Sequence, residues 1–140
     1  MDGNRTALFD ELAETFDDDV GLESTKFPFG DYNESLSEIA AEARRLAPRP
    51  VVDLGCGTGA LFARLQRDGT EVEAWGFDCS PRMLRRAPEK IPTARLLTDD
   101  IAGDLAEAEL RRFGAIVSTY TFHEMPDERK FDLLVILRER

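Results

Sequence analysis

The stretch Val51-Val52-Asp53-Leu54-Gly55-Cys56-Gly57-Thr58-Gly59-Ala60 decides how this chain folds. Two β-branched residues and a leucine read as a short buried strand. Glycines follow at alternate positions 55, 57 and 59, and Leu61-Phe62-Ala63-Arg64-Leu65 then reads as an amphipathic helix. A residue without Cβ lets the chain turn sharply and lets a ligand lie against the backbone. The free N–H groups that open the next helix attract negative or polar ligand atoms. Strand, glycine turn and helix together point to a nucleotide-type cofactor site more than to a tight structural turn alone.

The flanking segments repeat the alternation. Upstream, residues 4–17 carry Leu8, Leu12 and Phe16 at helical spacing beside Ala13, with Asp17-Asp18-Asp19 as a solvated end. Residues 20–33 are punctuated by Gly21, Pro28 and Gly30, and their Phe27, Phe29 and Tyr32 read as local packing or as a lid beside the glycine unit. Ser35-Leu36-Ser37-Glu38 fits a capping box, and Leu36, Ile39, Ala40, Ala43 and Leu46 form a helical stripe ending near Pro48-Arg49-Pro50. Downstream, the helix of the glycine unit is expected to stop at Gly69. Residues 72–78 alternate like a strand that finishes on Asp78, and Ser80-Pro81 opens a helix limited by Pro88. Residues 94–97 are a third strand ending on Asp99 and Asp100, residues 105–112 a helix, and residues 113–118 a fourth strand. Pro126-Asp127-Glu128 opens a last helix that runs to the end. Alternating strands and helices imply an α/β fold with a doubly wound parallel sheet. Residues 1–34 read as an N-terminal helical cap and residues 35–140 as the cofactor-binding domain.

In such a sheet, ligands sit beyond the carboxyl ends of the strands. Strand one ends there on Gly55, Gly57 and Gly59. Strand two ends on Asp78, about twenty residues past the glycines, the spacing expected of an acid that holds ribose hydroxyls. Its bland alternative is a cap on the helix at Ser80-Pro81. Strand three offers Asp99 and Asp100, one of which could accept from an exocyclic amine, or could cap the next helix. Strand four ends on Ser118-Thr119-Tyr120. Cys56 and Cys79 read as small residues that pack beside the ligand, since neither has a neighbour in sequence to activate a thiolate. Glu71 and Glu73 read as a solvated strand edge.

Bulk composition narrows the partners. The 140 residues suit one domain, with 42% hydrophobic and 33% charged residues and a net charge of −10. Neutralising nucleic-acid phosphates needs a basic face, so that charge disfavours DNA or RNA, and it disfavours an anionic membrane surface likewise. Two cysteines build no disulfide framework and one histidine builds no His-based metal site, so no metal is expected. The sequence holds no apolar run long enough to span a bilayer and no signal pattern at its N-terminus, and the expected location is cytoplasmic.

Val51 to Gly59 resembles motif I of the class I S-adenosylmethionine-dependent methyltransferases. Gly76-Phe77-Asp78-Cys79-Ser80-Pro81-Arg82-Met83-Leu84 resembles their second segment, Thr98-Asp99-Asp100-Ile101 their third, and Phe113 to Met125 their fourth. The resemblance implies a Rossmann-like sheet, of strand order 3-2-1-4 for the part present, that binds S-adenosylmethionine. It implies cofactor contacts at Asp53, Gly55, Cys56, Gly57, Gly59, Asp78, Cys79, Met83, Asp99, Asp100, Ile101, Ser118 and Tyr120. In it, Asp78 takes both ribose hydroxyls, Cys79 and Met83 border the adenine, Asp100 lies near the adenine amine and Ile101 beside it. Leu12-Ala13-Glu14-Thr15-Phe16-Asp17, with Tyr32 later, resembles the cap of small bacterial members, with Phe16 where those often carry tyrosine. The family's strands 5–7 have no counterpart in these residues, which would leave strand four as an open edge for a second copy to cover.

Methyl transfer from a sulfonium needs alignment of donor and acceptor, and a base only where the nucleophile carries a proton. His123, the one imidazole, follows strand four and is the candidate base or acceptor ligand, its bland alternative being a polar residue in the loop before the last helix. The acceptor is expected to be a small molecule. Two rivals stand beside this reading. One is a non-catalytic module that binds S-adenosylmethionine or dimerises. The other is an NAD-dependent oxidoreductase, whose fingerprint Gly55-x-Gly57-x-x-Ala60 also satisfies; Asp53, the extra Gly59 and the acidic pair after strand three argue against it.

Overall fold

Strand β1, Val51–Leu54, is buried at every residue and pairs on both sides, with β2 (Ala74–Asp78) and β4 (Ala115–Val117). β3 (Arg95–Thr98) pairs with β2, and all pairings are parallel, in the order β3-β2-β1-β4. The parallel, doubly wound sheet follows the alternation of elements in the sequence, and the order is the one the family resemblance implied. The computed structural model of the protein describes residues 3–20, 31–46, 48–67, 71–98 and 112–138. The helix expected at 105–112, the aromatics Phe27 and Phe29, and Gly69 lie outside those residues, Arg112 excepted.

The remaining elements are α1 (Gly3–Leu12), α2 (Phe16–Asp19), α3 (Tyr32–Arg45), α4 (Ala60–Leu65), α5 (Pro81–Arg86) with a 3-10 turn at Ala87–Glu89, a second 3-10 turn at Phe122–Glu124, and α6 (Asp127–Arg138). Successive strand residues point to opposite faces, and the core divides accordingly. Val51, Ala74, Cys56, Phe62 and Leu65 join α3 residues Leu36, Ala40 and Ala43 in one cluster. Val52, Leu54, Trp75 and Phe77 join Phe113, Met125 and Leu133 of α6 in the other. Both faces of β1 and β2 are therefore covered, which is why their sequences are apolar almost throughout. Burying a side chain such as Phe62, fully enclosed here, stabilises the fold by roughly 1.5–3 kcal/mol.

Local signals hold where they were short-range. Ser80 Oγ accepts from Met83 N at 3.1 Å, and Pro81 occupies the first helical turn. Elsewhere tertiary contacts overrode them. α3 begins at Tyr32 rather than after a cap at Ser35, and Ser35 N already donates to Asp31 O at 3.0 Å. The first two residues of that turn make long-range contacts. Tyr32 is buried with its ring edge-on to Tyr120 at 5.0 Å, and the Asn33 side chain accepts from Arg64. The N-terminal helix breaks at residues 13–15, where Ala13 is buried, and restarts as α2. Its stripe is not a buried face, since Leu8 is 52% exposed. Asp17 is no solvated helix end: its carboxylate accepts from Thr58 Oγ1 at 2.6 Å and from Lys90 Nζ at 2.7 Å. Glu73 accepts from Trp75 Nε1 at 3.0 Å rather than only facing water.

Candidate functional site

The turn after β1 is held to β2 by two bonds, Gly55 N and Cys56 N both donating to Phe77 O, at 2.7 and 3.0 Å. Gly55, Gly57 and Gly59 all take positive φ, at 81°, 52° and 80°. At Gly55 the space is also closed: a Cβ there would stand 1.9 Å from Thr121 Oγ1. At Gly57 it is open, with no heavy atom within 4 Å of a Cβ position. The chain thus presents bare backbone at Gly57, as close approach of a ligand requires.

Asp78 binds this turn to the next one. Its Oδ2 accepts from Gly57 N at 2.8 Å and its Oδ1 from Ser80 N at 2.8 Å. The helix cap is the Ser80 hydroxyl, so Asp78 does not cap the helix as its alternative reading had it; it bridges the glycine turn and the backbone of Ser80. Burial pushes its pKa up even though both amide donors favour the carboxylate. Asp53 of β1 is 3% exposed, with Oδ1 among the buried atoms that have no hydrogen-bond partner. Desolvation, and secondarily the charge of Asp78, raise its pKa to about 7. Burial raises the Cys56 thiol well above its ordinary value and raises Cys79 too, so neither is poised as a thiolate.

These turns wall one cavity of about 450 Å³, within the range of small-molecule and cofactor sites. Of the residues singled out from sequence, Gly55, Cys56, Gly57, Asp78, Cys79, Met83, Tyr120 and His123 line it. Three others do not. Asp53 is buried within β1, a Cβ at Gly59 would press on Ala87 at 3.2 Å, and the Ser118 hydroxyl donates to Leu54 O at 3.1 Å, which ties the end of β4 to β1. Asp99, Asp100 and Ile101 lie outside the described residues.

Sequence reasoning missed several walls. Phe9 and Asp19 come from α1 and α2, and Leu12 and Phe16, read only as a helical stripe or cap, join them. Thr119, Thr121 and Glu124, which belong to the segment resembling the family's fourth, and Tyr32, read as local packing or a lid, also line it. Tyr120 has the positive φ of 59°, rare for a side chain of its size, and its ring stands edge-on to Tyr32 and 6.5 Å from His123. His123 Nε2 lies 2.9 Å from Glu124 Oε1, with the His123 side chain 64% exposed. Among the described residues no group of His, Cys, Asp and Glu could hold a metal ion, and no helix is long and apolar enough to cross a membrane.

The cavity brings together a bare-backbone turn, an acid, aromatic side chains and an imidazole, and known proteins share the fold that carries it. A family model described as "Methyltransferase domain" matches residues 51–138. An uncharacterised methyltransferase of Geobacillus sp. (strain WCH70) is 34% identical over 127 residues, 88% of this chain and 55% of that protein. One from Bacillus cytotoxicus is 33% identical over 126 residues, with the same coverage of 88% and 55%. The chain spans about half the length of the curated relatives it matches. Magnesium protoporphyrin IX methyltransferase from Synechocystis PCC 6803, solved with bound SAM, superposes with a TM-score of 0.69 at 18% identity, over 99% of this chain and 72% of that one. The CcbJ methyltransferase of Streptomyces caelestis gives 0.69 at 24% identity, over 91% and 50%. At those identities the two structures speak to the fold alone, whereas the family model spans well over half of the sequence: this chain belongs to the methyltransferase-domain family.

Proposed function

We propose that the protein is an S-adenosylmethionine-dependent methyltransferase acting on a small-molecule acceptor. The observation that carries this reading is the shared cavity: the open backbone at Gly57 and the carboxyl of Asp78 lie on one wall, and Tyr120 and His123 belong to the same hollow. The residues present fit the cofactor. Asp78 would hold the ribose hydroxyls, the Gly55–Gly57 backbone would lie against the amino-acid portion, and Cys79 and Met83 would border the adenine. S-adenosylmethionine supplies a methyl group on a sulfonium, a reactive centre with a good leaving group.

The chain's own part is alignment and exclusion of water. α1 and α2 act as a cap over the sheet; Phe9, Leu12 and Phe16 support this by lining the cavity with apolar side chains. His123 accepts the acceptor's proton where the nucleophile carries one, and the Glu124 carboxylate 2.9 Å away stabilises the imidazolium that forms.

Thermal unfolding tests the reading. S-adenosylmethionine or its demethylated product should stabilise the protein by about 2.7 kcal/mol at a hundred times the dissociation constant, and NAD should not. Stabilisation by NAD equal to or greater than that by S-adenosylmethionine would instead point to an oxidoreductase. Transfer of labelled methyl groups to a metabolite pool then separates an enzyme from a binding module.

A further inference from the structure

The short helix α2 carries two kinds of side chain on two sides. Phe16 and Asp19, three residues apart and so on one side of a helical turn, line the cavity. Asp17 lies between them in sequence and reaches the other way. Its Oδ1 accepts from Thr58 Oγ1 at 2.6 Å and from Lys90 Nζ at 2.7 Å, and its Oδ2 lies 3.5 Å from Arg86 Nη2. Lys90 Nζ also donates to Thr58 O at 2.7 Å. Thr58 is the residue between Gly57 and Gly59 and is 1% exposed. One carboxylate therefore joins the N-terminal segment, the glycine turn and the turn after α5, segments 41 and 73 residues away in sequence. Both partners of the ion pair are about a quarter exposed, so the pair is less screened than a surface pair. The segment has a second anchor in Asp10, whose Oδ1 accepts from Ser80 Oγ at 2.5 Å and Arg82 N at 3.2 Å.

We propose that Asp17 is a positioning residue: through Thr58 and Lys90 it pins α2 onto the glycine turn and so holds Phe16 and Asp19 as a wall of the cavity. The retention of ligand follows, because a wall that opens less often releases its contents more slowly; this part rests on the function proposed above.

The test is amide hydrogen exchange on the ligand-free protein, with Asp17→Asn and Lys90→Met. The first keeps an acceptor oxygen for Thr58 and removes the charge facing Lys90 and Arg86. The second removes the ammonium and keeps the apolar stem. Amides of residues 13–20 should exchange about tenfold faster in both variants while those of β1 and β2 keep their wild-type rates. S-adenosylhomocysteine should leave both variants about tenfold faster with its association rate unchanged. Unchanged exchange over residues 13–20, or an increase shared equally by β1 and β2, overturns the proposal, since Asp17 would then contribute nothing or only global stability. A wild-type protein that takes up no S-adenosylhomocysteine refutes the function proposed above, while the exchange measurement still decides the role of Asp17.

Discussion

β2 and β4 flank the same central strand, and they are built differently. β2 has a strand on each side and is buried at all five residues, and its terminal acid is bonded into the glycine turn. β4 pairs with β1 alone among the described strands, and each of its three residues is only partly buried. α6, packed on that side through Leu133, leaves Phe131 68%, Leu134 53% and Val135 40% exposed. The β2 end is thus over-determined by packing, and the β4 end is not.

The largest contrast should come from the core itself. Phe62→Ala, at a site with no exposure, should cost about 3–5 kcal/mol in urea unfolding, and Phe131→Ala much less. Equal costs would mean that the two sides are packed alike. The glycine turn sharpens the comparison further. Gly55→Ala meets both a φ of 81° and Thr121 at 1.9 Å, and should destabilise by about 2–5 kcal/mol. Gly57→Ala has open space at its Cβ, so it should cost only about 1–2 kcal/mol and act on ligand binding instead. A Gly57→Ala protein with full ligand response would remove that residue from the site.

Asp53 gives the β1–β2 end its own pH dependence. Its folded-state pKa of about 7 lies above the ordinary carboxyl value, so the native state binds more protons than the unfolded state between about pH 4 and 7. This group's contribution to stability therefore falls as pH rises through that window and is flat above it. The difference between wild type and Asp53→Asn should grow from pH 4 to 7, with the variant more stable at pH 8 by roughly 2–4 kcal/mol. Parallel pH profiles would place the Asp53 charge in a better-solvated setting. The smallest effect belongs to α6: Leu134→Ser should change stability by no more than about 0.5 kcal/mol.

What the sequence made legible was local. Positive φ at Gly55, Gly57 and Gly59, the serine cap at Ser80 with Pro81 behind it, and apolar strands ending on Asp78 each follow from neighbouring residues. The failures were pairings at long range. Arg64 looks like the polar face of α4, yet it is 4% exposed and bonds Asn33 and Ala60 O. The capping-box pattern at Ser35 lost to contacts of Tyr32 and Asn33. Asp17 looked like one of three solvated acids, and nothing near it in sequence announces Lys90. The cavity walls contributed by Phe9 of α1 and Asp19 of α2 were hidden for the same reason.

Calorimetric titration of S-adenosylhomocysteine into the wild type and Asp78→Ala tests the central claim most directly. The account predicts saturable binding by the wild type and binding at least about tenfold weaker in the variant, the loss expected when charge-assisted hydrogen bonds to the ligand disappear. Equal affinity in the two proteins would contradict it.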